Sequence, residues 1–225
     1  AGLGAAGVLV VSPAYVRPPQ AGIEAHFRAV AEATALPVMV YDVPLRTGRR
    51  IDAAVLRRLL REVPNVGAFK DATGDLAAAA ALLAEAGDGL DLYAGDDALA
   101  MPLLALGGVG LVGTTTHWTG PWFQRLAAAI DAGDLALVRR LHARLQPSFA
   151  YVNSETSVFA MSVKVMLGVI GQPVGACRLP YPPAPPEVAT RARGVWDGLG
   201  RDDESSFIAG VPCGHRQPTK ARCSP

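Results

Sequence analysis

Lys70 ends an apolar run, Val66-Gly67-Ala68-Phe69, and is one of only three lysines in a chain whose other basic residues are arginines. A lysine at the C-terminal end of a buried strand loses its proton more easily because burial penalises the charge. The neutral amine can then attack a carbonyl, a reaction closed to an always-charged arginine. The competing reading is a strand-end lysine ion-paired with Asp71 or Asp75. A second apolar run closes on Tyr41 and Asp42 and leads into Pro44-Leu45-Arg46-Thr47-Gly48. A phenol can relay protons, and a guanidinium can grip a carboxylate through two parallel hydrogen bonds. Without the lysine, Tyr41 would be read as a core aromatic and Arg46 as a solvated loop residue. Tyr15 follows another apolar run in Ser12-Pro13-Ala14-Tyr15-Val16-Arg17-Pro18-Pro19, a stiff turn expected to hold an aromatic near the same rim. Gly95-Asp96-Asp97 pairs a flexible residue with a helix cap at Asp96 or Asp97, and capping explains it without catalysis.

Other chemistries find little support. His26, His117, His142 and His215 are scattered with no i,i+4 pair, so no metal site is expected. Cys177, Cys213 and Cys223 have neither zinc-ligand spacing nor the density of a disulfide framework. No G-x-S-x-G occurs, which leaves a serine hydrolase without its nucleophile turn. The 21 basic and 20 acidic residues are interspersed and leave a net charge of +1, so neither nucleic acid nor an anionic membrane is an expected partner. The apolar stretches Gly7 to Val11 and Ala77 to Ala84 fall short of the roughly 18 to 20 residues of a membrane span. No charged leader precedes an apolar segment, and the chain reads as cytoplasmic.

These residues must be positioned by elements legible in the hydrophobic pattern. Five runs, Gly7 to Ser12, Pro37 to Val43, Asn65 to Lys70, Leu90 to Ala94 and Val109 to Thr114, read as strands buried on both faces. Between them Gln20 to Thr34 sets Ile23, Phe27, Val30 and Thr34 on one helix side. Asp52 to Val63 sets Val55, Leu56, Leu59, Leu60 and Val63 together behind an Asp52 cap. Strand starts lie about 30, 28, 25 and 19 residues apart, the spacing of β/α units with parallel strands. No G-x-G-x-x-G or Walker pattern follows the first strand, which favours a barrel over a nucleotide-binding doubly wound sheet. The expected fold class is α/β, a partial TIM (β/α)8 barrel of five of its eight units over residues 1–120, with a C-terminal helical extension over residues 121–200. That extension reads as helices only, Pro121 to Asp131, Asp134 to Phe149, Glu155 to Ile170 and Pro186 to Leu199. Residues 201–225 are polar and unpatterned and read as a disordered tail. Five units against eight suggest that an N-terminal part is missing.

Two segments carry a resemblance. Tyr41-Asp-Val-Pro-Leu-Arg-Thr-Gly48 and Val66-Gly-Ala-Phe-Lys-Asp-Ala-Thr-Gly-Asp75 are similar to the Y-[ND]-[VI]-P-x-R-[TS]-G and G-x-K-[DE]-A-[ST]-G-[DN] signatures of the dihydrodipicolinate synthase and N-acetylneuraminate lyase family. The Ser12 to Tyr15 turn, the Gly95 to Asp97 turn and Arg178-Leu-Pro180 follow in the family's order. The resemblance implies a lyase of the class I aldolase type, without cofactor, acting in lysine biosynthesis. Lys70 would condense with pyruvate, and the resulting enamine would attack aspartate semialdehyde. Tyr41 would shuttle protons, Tyr15 would complete the relay by reaching a neighbouring subunit's site, and Arg46 would bind the aldehyde's carboxylate. Val112 would present its backbone carbonyl, and Gly95 would lie against the substrate. The family implies a homo-oligomer, a tetramer or dimer in the full-length form. The alternatives are an aldolase or dehydratase for a 2-keto-3-deoxy acid, or a non-catalytic truncated barrel. Two departures stand out. The family's G-T-T-G-E segment, which holds the pyruvate carboxylate, is absent, so impaired activity is expected of these 225 residues alone; and Ala14 replaces a tyrosine associated with lysine feedback.

Overall fold

The structure, a computed structural model, describes residues 4–154 and 157–200. The expected tail, with Cys213, His215 and Cys223, lies outside these residues, as does the Ala1 to Leu3 start. The chain forms two compact units, the first ending at Val112 and the second beginning at Gly113.

In the first unit strands and helices alternate. They are β1 (Val8–Val11), α1 (Gln20–Glu32), β2 (Val38–Asp42), α2 (Pro44–Thr47), α3 (Ala53–Glu62), β3 (Val66–Asp71), α4 (Leu76–Ala86), β4 (Asp91–Ala94), α5 (Ala100–Ala105) and β5 (Gly110–Leu111). The five strands form one sheet in the order β1-β2-β3-β4-β5, and every pair is parallel. Such an order follows from successive crossovers of one hand, each long enough to hold a helix. The core lies on one side of the sheet. Val38 and Val40 of β2, Val66 and Phe69 of β3, and Leu92 and Ala94 of β4 are buried, as are Ile23, Phe27 and Ala31 of α1 and Val55, Leu56 and Leu59 of α3. A fully buried side chain such as Ile23 or Phe27 contributes about 1.5–3 kcal/mol. The Asn65 side-chain amide, just before β3, donates to the carbonyls of Ala31, Thr34 and Leu36 at 3.0, 3.0 and 3.2 Å. It ties the turn after α1 to the entry of β3.

Three expectations need correction here. The strands are not buried on both faces: burial alternates along β2 and β4 and along β3 from Ala68 onward, and Leu9 and Val11 of β1 are 44% and 40% exposed. The physical reason is that five strands form an open sheet, so the side chains that would fill a closed barrel have no opposing strands. On α1 the third buried position is Ala31, while Val30 and Thr34 are half-buried. Asp52 occupies the cap position of α3, but its side chain accepts no capping hydrogen bond. Its backbone N–H is instead bound by the Gln20 side-chain oxygen at 2.9 Å.

The second unit contains α6 (Thr116–Asp131), α7 (Leu135–Val152), α8 (Phe159–Val169) and α9 (Pro186–Leu199). It is not helical throughout, because β6 (Asn153–Ser154) and β7 (Ser157–Val158) form a short antiparallel pair between α7 and α8. Helix α6 begins five residues before Pro121, which lies within it at the loss of one backbone donor. Asp134 caps α7 through the N–H of Leu137 at 2.9 Å. The interior is aromatic. Phe123 stacks on Phe149 with centroids 6.0 Å apart, the buried Trp118 indole donates to Ser148 Oγ at 3.1 Å, and Tyr151 donates to the Ser162 carbonyl at 3.0 Å.

Candidate active site

Strand register brings the chemistry together. Lys70 on β3 is the ladder neighbour of Tyr41 on β2 and of Tyr93 on β4, and Tyr41 in turn neighbours Val11 on β1. Paired residues of a parallel sheet share a face, so these side chains project on the side opposite the core. The Lys70 Nζ lies 4.1 Å from the centroid of the Tyr41 ring, a cation–π geometry. Burial lowers the Lys70 pKa below the ordinary lysine value, with a smaller opposing pull from the Asp97 carboxylate. Burial likewise raises the Tyr41 phenol, and the Arg46 charge partly offsets it. The ion pair weighed for Lys70 is not formed. Asp71 accepts the Thr73 N–H at 2.8 Å, and Asp75 pairs with Arg50 at 2.9 Å.

Gly95, at the end of β4, is a glycine for want of room. A Cβ there would stand 2.8 Å from the Ala72 Cβ and 3.0 Å from both the Asp71 carbonyl oxygen and the Lys70 Cε. Its N–H donates to the Asp71 carbonyl at 2.7 Å, which fixes the approach. The lysine stem therefore passes where a side chain would otherwise be. Beside it, Asp96 accepts the Ala98 N–H at 2.9 Å, the cap its position predicted. Val112 follows β5 and donates its N–H to Ala94 at 2.9 Å; two residues beyond Gly110, it alternates onto the lysine face and is 37% exposed.

The loops explain why the motif residues recur as they do. After β2, Pro44 opens α2, Thr47 Oγ1 donates to the carbonyls of Val43 and Arg49 at 3.2 and 3.0 Å, and Gly48 closes the turn at φ 76°. A Cβ at Gly48 would also stand 3.0 Å from the Arg17 Cδ. Arg46 is thus presented from a single tight turn and is exposed. After β3, Thr73 Oγ1 accepts the Asp75 N–H at 3.2 Å and Asp75 caps α4 through Ala78 at 2.9 Å. Most of that motif builds a turn and a helix start.

Tyr15 is not brought to Lys70. It is 95% exposed, with φ 68°, and its side chain has no hydrogen-bond or ring partner among the described residues. Arg17, two residues on, also has positive φ, at 45°. The sequence reading passed over Tyr93, because only strand register sets it beside the lysine. No group of three or more metal-ligating side chains occurs among the described residues.

The dihydrodipicolinate synthetase family model matches residues 1–193. The chain belongs to that family. The 4-hydroxy-tetrahydrodipicolinate synthase of Moorella thermoacetica is 41% identical over 180 residues, 79% of this chain and 60% of that protein. That of Prochlorococcus marinus strain MIT 9313 is 43% identical over 190 residues, 83% and 61% of the two chains. Among solved structures, dihydrodipicolinate synthase from Cyanidioschyzon merolae with lysine bound superposes with a TM-score of 0.83 at 37% identity, covering 88% of this chain and 67% of that one. The dihydrodipicolinate synthetase fold seen here is thus a partial barrel. The chain spans about 60% of the length of the curated relatives it matches.

Proposed function

We propose that this chain carries the imine-forming part of a pyruvate-dependent aldolase site, with Lys70 as the nucleophile. The Lys70 amine adds to the C2 carbonyl of pyruvate, water leaves, and the imine forms. Loss of a methyl proton turns the imine into an enamine, whose carbon attacks an aldehyde; hydrolysis then returns the free amine. The observation that carries this reading is a half-buried amine, in no ion pair with a described residue, whose pKa burial lowers and which is set 4.1 Å over a phenol ring. Tyr41 is the proton shuttle, within reach of the same amine. Arg46, on the loop that follows, receives a carboxylate on the incoming aldehyde, which favours aspartate semialdehyde over an uncharged sugar aldehyde. Gly95 and the Val112 backbone line the space beside the imine. Tyr15, almost fully exposed, serves a second copy's site in a cytoplasmic homo-oligomer.

The test is borohydride reduction in the presence of pyruvate, followed by peptide mass analysis. A pyruvate adduct confined to Lys70, absent from Lys70→Arg, supports the reading. A folded protein that traps no pyruvate on Lys70 refutes it. Since the run Gly-Thr-Thr-Gly-Glu occurs nowhere in the 225 residues, turnover with aspartate semialdehyde is expected to be impaired even where trapping succeeds. Full steady-state turnover would contradict that expectation.

A further inference from the structure

Lys70 has an aromatic neighbour on each side. Across β2 it is Tyr41, and across β4, at the same ladder level, it is Tyr93. The Tyr93 ring lies over Gly110 of β5: a Cβ at that glycine would stand 2.9 Å from the ring's Cε1 and 3.0 Å from its Cδ1. Gly110 is the ladder partner of Tyr93, so the missing side chain is what lets the ring lie down in the row. The row thus reads Tyr41, Lys70, Tyr93, Gly110 across four strands. Tyr93 is half-buried on the same face as the amine, and that burial raises its phenol.

We propose that Tyr93 is a positioning residue for the Lys70 amine, its ring walling the β4 side of the lysine stem so that the amine is screened from water and directed onto the Tyr41 side. This deepens the proposed function and rests on Lys70 being its nucleophile. The charges around the amine are few. On β2 the strand ends with Asp42, which points to the opposite face, and Arg46 follows; on the β4 side Asp91 precedes Tyr93 and Asp97 lies beyond Gly95. Only Asp97 acts appreciably on the lysine, and it favours the charged form. Screening by the two rings works against it. A smaller residue at 93 would admit water and leave the pull of Asp97 unopposed on that side.

Lys70 reactivity can be read without any aldolase chemistry. Competitive acetylation by acetic anhydride between pH 6 and 11, quantified on the Lys70 peptide against the Lys164 peptide, gives the midpoint of the amine. In the parent protein and in Tyr93→Phe, which keeps the ring, the midpoint lies below that of an ordinary lysine. In Tyr93→Ala it rises by about one pH unit. Tyr93→Thr, better suited to a strand, repeats the test should the alanine variant not fold by circular dichroism. An unchanged midpoint in the small-residue variants overturns the proposal, and so does a Phe variant displaced as far as Ala. Pyruvate trapping on the same samples separates the two claims. A depressed midpoint with no adduct refutes the Schiff-base reading and leaves the Tyr93 role standing; an adduct with a midpoint insensitive to residue 93 does the reverse.

Discussion

Asp42 should weaken the fold at neutral pH, and Asp42→Asn should strengthen it. The carboxyl is 1% exposed at the end of β2, on the core side of the sheet. One oxygen accepts the Ile51 N–H at 3.0 Å, and the other has no hydrogen-bond partner among the described residues. Its ladder neighbour on β3 is a second carboxylate, Asp71. Burial, with a smaller contribution from Asp71, raises the Asp42 pKa from 3.8 to about 6. A folded-state value above the unfolded one means that the stabilising state is the protonated one. Its contribution is complete below about pH 3.8 and is lost as pH rises through about 6. Keeping the carboxylate ionised above that range costs about 3 kcal/mol by linkage. Asparagine keeps the oxygen for Ile51 without the charge, while its amide finds no partner where the second oxygen stood, a loss of about 1–2 kcal/mol. The net expectation is a gain of about 1–2 kcal/mol at pH 8, turning into a loss near pH 4. Urea unfolding of both proteins from pH 4 to 8.5 measures it through the midpoint at constant slope. A difference between the two proteins that does not vary with pH would refute the reasoning, because the linkage would then be absent.

Gly95→Ala forces its Cβ against the Asp71 carbonyl and the Lys70 stem; a stability loss of about 1–3 kcal/mol is expected, with pyruvate trapping slowed on the order of tenfold or more. Parent-like trapping kinetics would show that the close approach is slack. In the second unit, Ser148→Ala leaves the buried Trp118 indole N–H without its acceptor and should cost about 1–3 kcal/mol in chemical denaturation; a change below about 0.5 kcal/mol would count against that bond. Glu24 bridges Arg58 and Arg28 between α1 and α3, and those two hydrogen-bonded guanidiniums hold its carboxyl down at about 2. Its depressed value means that the stabilisation is present above pH 4.5 and fades as pH falls toward 2. Glu24→Gln should therefore cost about 1 kcal/mol at pH 7 and nothing near pH 2, as thermal melts at the two pH values would read.

Local pattern carried much of this molecule. The apolar runs place all five strands to within a residue or two, except that β5 keeps only Gly110 and Leu111 of its expected six residues, and α9 spans the residues its periodicity indicated. These elements were legible because their signals are short-range: apolar runs, helical periodicity, and Gly and Pro breaks between them. Where a distant residue intervenes, the reading failed. Asp52 looks like a cap, but Gln20, more than thirty residues away, takes its backbone N–H.

The candidate site divides in the same way. That Lys70 ends a strand, and that Tyr41 and Arg46 flank the next turn, is written in residue order, because each depends on its own few neighbours. That the amine sits over the phenol, that Gly95 must lack a side chain, and that Tyr93 stands in the lysine's row were decided by strand register. Register couples residues 20 to 30 positions apart through a ladder only the assembled sheet possesses, and no local propensity encodes it.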